Sequence, residues 1–95
     1  MKEFSLPVAA VDYRVKFVKK LIHNGNECAG LCDMTNRTIT IEKNANAELM
    51  RQALWHEWGH AFIHETGQRI VGDEESIVDG QATAIMRVRL SCPWL

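Results

Sequence analysis

The sequence predicts an α+β fold: a small antiparallel three-stranded sheet packed on a central helix, with a second helix towards the C-terminus. Three observations predict it. Apolar and polar residues alternate with period two in the N-terminal half. From about residue 46 the apolar spacing becomes that of a helix. Short turn signals separate the segments, and there is no repeat, linker or low-complexity stretch. The 95 residues suit one domain, 1–95. A domain of this size buries only about two thirds of its unfolded surface. It therefore has one modest core, to which a bound metal would add.

The elements follow in order. Val11, Tyr13, Val15 and Phe17 alternate with Asp12, Arg14 and Lys16, the pattern of a half-buried strand. Asn24-Gly25 is a tight-turn signal. A short strand is expected over residues 28–32, then a second turn at Asp33-Met34-Thr35-Asn36. Residues 37–42 alternate again, and their β-branched side chains favour a strand. Consecutive strands joined by tight turns suggest an antiparallel meander. Asn44 or Asn46 can cap the first helix, with Glu48 in its first turn. Leu49, Met50, Ala53, Leu54, Trp55, Trp58, Ala61 and Phe62 cover most of its circumference, so it is expected to be central and buried. Gly67 ends it. A second helix begins at Gly72-Asp73, with Ile77, Val78, Ala82, Ile85 and Val88 as its inward stripe, and Pro93 stops it.

Composition narrows the function. The chain is 46% hydrophobic and 24% charged, and its formal net charge is −1, so no overall field points to nucleic acid or anionic lipid. No apolar run reaches the roughly 18 residues of a membrane span, and the N-terminus lacks a signal-peptide core. Cys28, Cys32 and Cys92 read as free thiols in a reducing cytosol; a Cys28-Cys32-Cys92 zinc site is a weak alternative, because the CxxxC spacing is loose. Arg14, Lys16, Lys19 and Lys20 read as a solvated strand face, and Trp55, Trp58 and Trp94 as core. No serine nucleophile and no glycine-rich phosphate loop are present.

The chemistry concentrates in LWHEWGHAFIH, residues 54–64. His56-Glu57-Trp58-Gly59-His60 is HExxH. Residues i and i+4 of a helix share a face, about 5–6 Å apart, so His56 and His60 can reach one Zn²⁺. Glu57 lies about 100° around the helix, outside that pair but able to act on a water beside the ion as general base. Burying these groups in an apolar run without partners would cost several kcal/mol; a metal removes that cost. The third ligand is open. His64 lies about 12 Å along the axis from His56, too far to share its ion. The longer metzincin pattern fails, since Ile63 and Thr66 stand where Gly and His are needed. The ligand must come from Glu74, Glu75 or Asp79. Glu75 is favoured because it shares a side of the second helix with Val78, Asp79, Ala82 and Met86, where small Ala82 allows close approach. Tyr13 and His64 are the candidates for an oxyanion donor.

The strand at 37–42, the segment ALWHEWGHAFIH and the acidic DEESIVDGQATAIM together resemble compact zinc metallopeptidases of the ImmA/IrrE type and their phage and bacterial relatives, over roughly residues 11–90. Glu75-x-x-Val78-x-x-Gln81-Ala82 looks like the second-helix element of that family, departing from it at Gln81, where an apolar residue is usual. The resemblance implies a minimal zincin-like fold of gluzincin type. His56, His60 and Glu75 would hold Zn²⁺ and Glu57 would be the catalytic base. It further implies a monomeric cytoplasmic enzyme cleaving a protein substrate, such as a transcriptional repressor, without binding nucleic acid or membrane itself. The competing expectation is a zinc-stabilised binding module that cleaves nothing.

Overall fold

A computed structural model describes residues 2–70 and 72–91. Its elements are β1 Phe4–Val8, β2 Val11–Val18, β3 Ile22–His23, β4 Asn26–Glu27, β5 Gly30–Asp33, β6 Thr38–Glu42, α1 Ala47–Glu65 and α2 Glu74–Ser91. Cys92, Pro93 and Trp94 lie outside the described residues. The α+β class stands, but the main sheet has four strands, not three. It is mixed, with order β1-β2-β6-β5. β1 pairs antiparallel with β2, β2 parallel with β6, and β5 antiparallel with β6.

Two physical reasons account for the difference. Phe4, Leu6 and Val8 alternate with Ser5 and Pro7, and the proline obscures a strand that it in fact permits. An edge strand tolerates the missing N–H, and β1 is an edge. The meander fails because β2 and β6 carry the most buried apolar side chains. Tyr13, Val15, Ile39 and Ile41 are all fully buried. Placing these strands side by side, with Val15 opposite Ile39 and Phe17 opposite Ile41, joins those side chains in one core. The intervening chain makes the small β3–β4 hairpin, at the Asn24-Gly25 turn, and then returns as β5 along the edge. The β5–β6 turn is held by Asp33, whose carboxylate accepts from the Asn36 backbone N–H at 3.1 Å and side-chain N–H at 2.8 Å.

α1 lies across one face of the sheet, against β1, β5 and β6. Asn46 caps it, accepting from the N–H groups of Glu48 and Leu49. Met50, Ala53, Leu54, Trp58 and Phe62 pack on the sheet core, and the Trp58 indole N–H donates to the Pro7 carbonyl at 2.9 Å. Gly59 and Ile63 are buried on the same helix. Beyond Thr66 the chain turns at Gly67 with φ +66°, and Gln68 N–H returns to the Ile63 carbonyl.

α2 packs on α1 through a narrower seam than its apolar residues suggest. Val78, Ala82 and Met86 are buried, while Ile77 and Val88 are exposed. Of the stripe expected through Ile77, Val78, Ala82, Ile85 and Val88, Val78 and Ala82 do face inward and Ile77 and Val88 do not, because the helix has one main neighbour, not a sheet and a helix together. Val78, Ala82 and Met86 thus face α1, and Glu74, Glu75 and Asp79 all come within reach of its histidines. Asp73 starts the helix, accepting from Glu75 N–H and the Ser76 hydroxyl.

Candidate metal centre

One helical turn separates His56 from His60, so both rings lie on the α2-facing side of α1, edge to face with their planes inclined at 67°. Their Nε2 atoms approach to 3.3 Å. Glu75, in the first turn of α2, meets both: Oε2 lies 2.9 Å from His56 Nε2 and Oε1 lies 2.9 Å from His60 Nε2. Among the described residues, these three form the one cluster of His, Cys, Asp or Glu donors converging on a common point. Cys28 and Cys32 take no part in it.

The other two acids once open as ligands do something different. Asp79 Oδ1 lies 2.7 Å from His56 Nδ1, and Glu74 Oε2 lies 2.5 Å from His60 Nδ1. A carboxylate at Nδ1 holds the proton there. In that tautomer both Nε2 atoms are lone-pair acceptors, facing each other and a carboxylate. Acceptors facing acceptors repel unless a positive charge sits among them. The 3.3 Å between the two Nε2 atoms suits one: tetrahedral bonds of 2.0–2.1 Å place ligand atoms about 3.3–3.4 Å apart. Two imidazole nitrogens and a carboxylate oxygen are a donor set that fits zinc. The same arrangement raises the proton affinity of His60. Burial opposes its charge, but the Glu74 hydrogen bond and the nearby Glu75 and Glu57 outweigh that and lift its pKa.

Glu57 stands beside the cluster, with Oε2 3.9 Å from His56 Nε2 and a side chain only 13% exposed. Burial lifts its carboxyl above the ordinary value; the two imidazoles pull it down and Glu75 pushes it up again. It rests against Gly30 of β5, where an added Cβ would lie 2.9 Å from Glu57 Cγ. A side chain at that position would collide with the acid, a constraint that no local pattern in the sequence reveals. Gly59 makes a similar close approach to α2, an added Cβ lying 3.0 Å from Val78 Cγ1.

Two clefts flank the cluster. The larger, of about 470 Å³, is lined by Gly30, Glu42, Met50, His56, Glu57 and Asp79, among others. The smaller, of about 350 Å³, includes His60, His64 and Glu74. His64 is therefore an exposed cleft residue on the far side of His60. Tyr13 cannot serve as an oxyanion donor: it is fully buried, and its hydroxyl donates to Glu65 Oε2 at 2.7 Å.

No helix among the described residues is long and apolar enough to cross a membrane. No curated protein and no solved structure matches the chain. A family profile does match, over residues 11–91, from the start of β2 to the last residue of α2, and so takes in every residue of the cluster. Nearly the whole chain is covered, and the protein belongs to that family, DUF4344, described as "Putative metallopeptidase".

Proposed function

We propose that this protein is a zinc-dependent peptidase of the His-His-Glu type, akin to the ImmA/IrrE peptidases, in which His56, His60 and Glu75 hold the ion and Glu57 is the base. The convergence of two Nε2 atoms and both Glu75 oxygens, beside a buried acid, carries this reading. Bound there, a divalent cation supplies Lewis acidity for the scissile carbonyl and acidifies water at the site.

The chain's own groups supply the rest. Asp79 and Glu74 hold the Nδ1 protons and so fix the tautomer and direction of each ring. Glu57, raised in proton affinity by burial, takes a proton from water at its carboxylate and returns it to the departing amine. β5 is an edge of the sheet and carries Gly30 beside Glu57. An extended substrate can add to it as a further strand, with the bond to be cut next to the acid. The ImmA/IrrE likeness makes the substrate a protein, with a cytosolic transcriptional regulator as the leading candidate, and the enzyme a cytoplasmic monomer.

Elemental analysis of protein purified without added metal tests the reading first. About one equivalent of zinc is expected, lost in His56→Ala. Less than about a tenth of an equivalent would refute it. Glu57→Gln should keep the zinc and abolish cleavage; undiminished biological activity in that variant would mark the protein as a metal-stabilised binding module.

A further inference from the structure

The larger cleft combines apolar walls with acidic groups. Ala29, Gly30, Leu49, Met50 and Ala53 form its apolar walls, and Leu49 is left 52% exposed there. Glu42, Glu57 and Asp79 also line it, and no lysine or arginine lines either cleft. Glu74 and Glu75 adjoin through the two histidines. These are five carboxylates, so after a divalent cation offsets two charges the surroundings still carry an excess of three. Asp79 is engaged with His56 and Glu57 faces the cluster. Glu42 differs. Its Oε2 accepts from Leu21 N–H at 2.9 Å, and among the described residues Oε1 has no hydrogen-bond partner.

We propose that this cleft takes a lysine or arginine side chain next to the bond to be cut, with Glu42 as the specificity-determining residue. The proposal rests on the peptidase reading and narrows its substrates to basic peptides. A long side chain with an apolar stem and a cationic head satisfies both parts of the cleft. A purely apolar one would use the same walls but strip water from Glu42 without compensation. An acidic one would meet like charge.

The test uses the full-length, zinc-loaded Glu57→Gln protein, so that binding is read without cleavage. Fluorescein-labelled oligoalanine peptides with one central lysine, norleucine or glutamate are titrated by anisotropy. Lysine should bind about three- to fivefold tighter than norleucine, the upper part of the range for a partly exposed ion pair, with glutamate weakest. Adding Glu42→Gln, which keeps an amide oxygen for Leu21 N–H, should bring the lysine-to-norleucine ratio near unity. Salt at about 0.5 M, where screening is strong, should compress it as well. Norleucine binding as tightly as lysine, a lysine advantage that survives Glu42→Gln, or no binding of any peptide would each overturn the proposal. Exposure of the same peptides to the zinc-loaded protein with Glu57 intact separates the two readings. Selective binding with no cleavage of any peptide would leave the charge selectivity standing and remove the peptidase.

Discussion

Gly59→Ala isolates the geometry of the site from the stability of the fold. The new Cβ would stand 3.0 Å from Val78 Cγ1, 3.1 Å from Val78 Cβ and 3.0 Å from Gln81 Oε1. Ordinary contact begins near 3.4 Å, so α2 must retreat from α1 by about 0.4 Å at this level, unless Val78 repacks. Two stability effects oppose each other. Alanine is better than glycine in a helix by about 1 kcal/mol, whereas overpacking costs about 1–3 kcal/mol. The net loss is about 0–2 kcal/mol, and at roughly 4–8 °C per kcal/mol the metal-free protein should melt no more than about 15 °C lower. The donor set is far less forgiving, because metal–ligand distances tolerate only about 0.2 Å. Glu75 travels with α2 while His56 and His60 stay on α1, so zinc affinity should fall by about 10- to 100-fold. Chelator competition on folded protein, beside a thermal melt of the metal-free form, reads the two effects apart. Affinity unchanged in a folded Gly59→Ala protein would refute the idea that this close approach sets the donor spacing.

Other expectations follow from the same geometry. Asp79→Ala and Glu74→Ala should each weaken zinc binding by about tenfold or more, by equilibrium dialysis, since each releases one Nδ1 proton from its partner; unaltered affinity in both would remove their positioning role. Gly30→Ala should leave zinc content intact and depress cleavage, because the Cβ displaces Glu57; normal turnover would show that the strand gives way instead. Tyr13→Phe should change the pH profile of stability at both ends. The Tyr13 hydrogen bond, with help from Arg37, holds the Glu65 carboxyl below its ordinary 4.5, and this stabilisation is present above that pH and lost as pH falls through the folded value. Burial and the same bond raise the Tyr13 phenol above its ordinary 10.0, so the wild-type fold also loses stability as pH climbs past 10. The variant should show a flatter acid limb in urea titrations and no phenol-dependent loss in alkali, and superimposable profiles would contradict the assignment.

Sequence and structure agree where one period decides the outcome. The four-residue step from His56 to His60 fixes both rings on one side of a helix, and Asn46 and Gly67 mark its ends. The side of α2 that meets α1 was legible in Glu75, Val78, Ala82 and Met86, with small Ala82 as the cue. What failed was partner choice. Nothing local in residues 11–18 says that β2 lies beside β6 rather than beside the next strand; that follows from pooling Tyr13, Val15, Ile39 and Ile41. β1 was readable in Phe4, Leu6 and Val8 had Pro7 been taken as an edge residue. Ile77 and Val88 misled because an apolar residue is counted as inward even where a helix has little to face. Asp79 repeats the four-residue step from Glu75, the one written hint that it would reach His56. The contact of Gly30 with Glu57 depends on how a helix lies across a strand, which no single segment encodes.

α2 rests on α1 almost alone, with just Val78, Ala82 and Met86 buried along the described helix. It therefore has its own opening equilibrium, separate from global unfolding. A ligand gripping both sides of that hinge holds it shut by mass action, about 2.7 kcal/mol when zinc stands a hundredfold above its dissociation constant. Amide exchange along Glu74–Ser91 should slow by roughly that hundredfold on loading, while the β2–β6 amides, whose exchange already requires the whole sheet to part, slow less. Equal protection in both regions would mean that the helix never opens by itself. If it does, scarcity of the ion dismantles the acidic half of the centre before any other part of the protein, so the supply of metal would govern both activity and susceptibility to degradation.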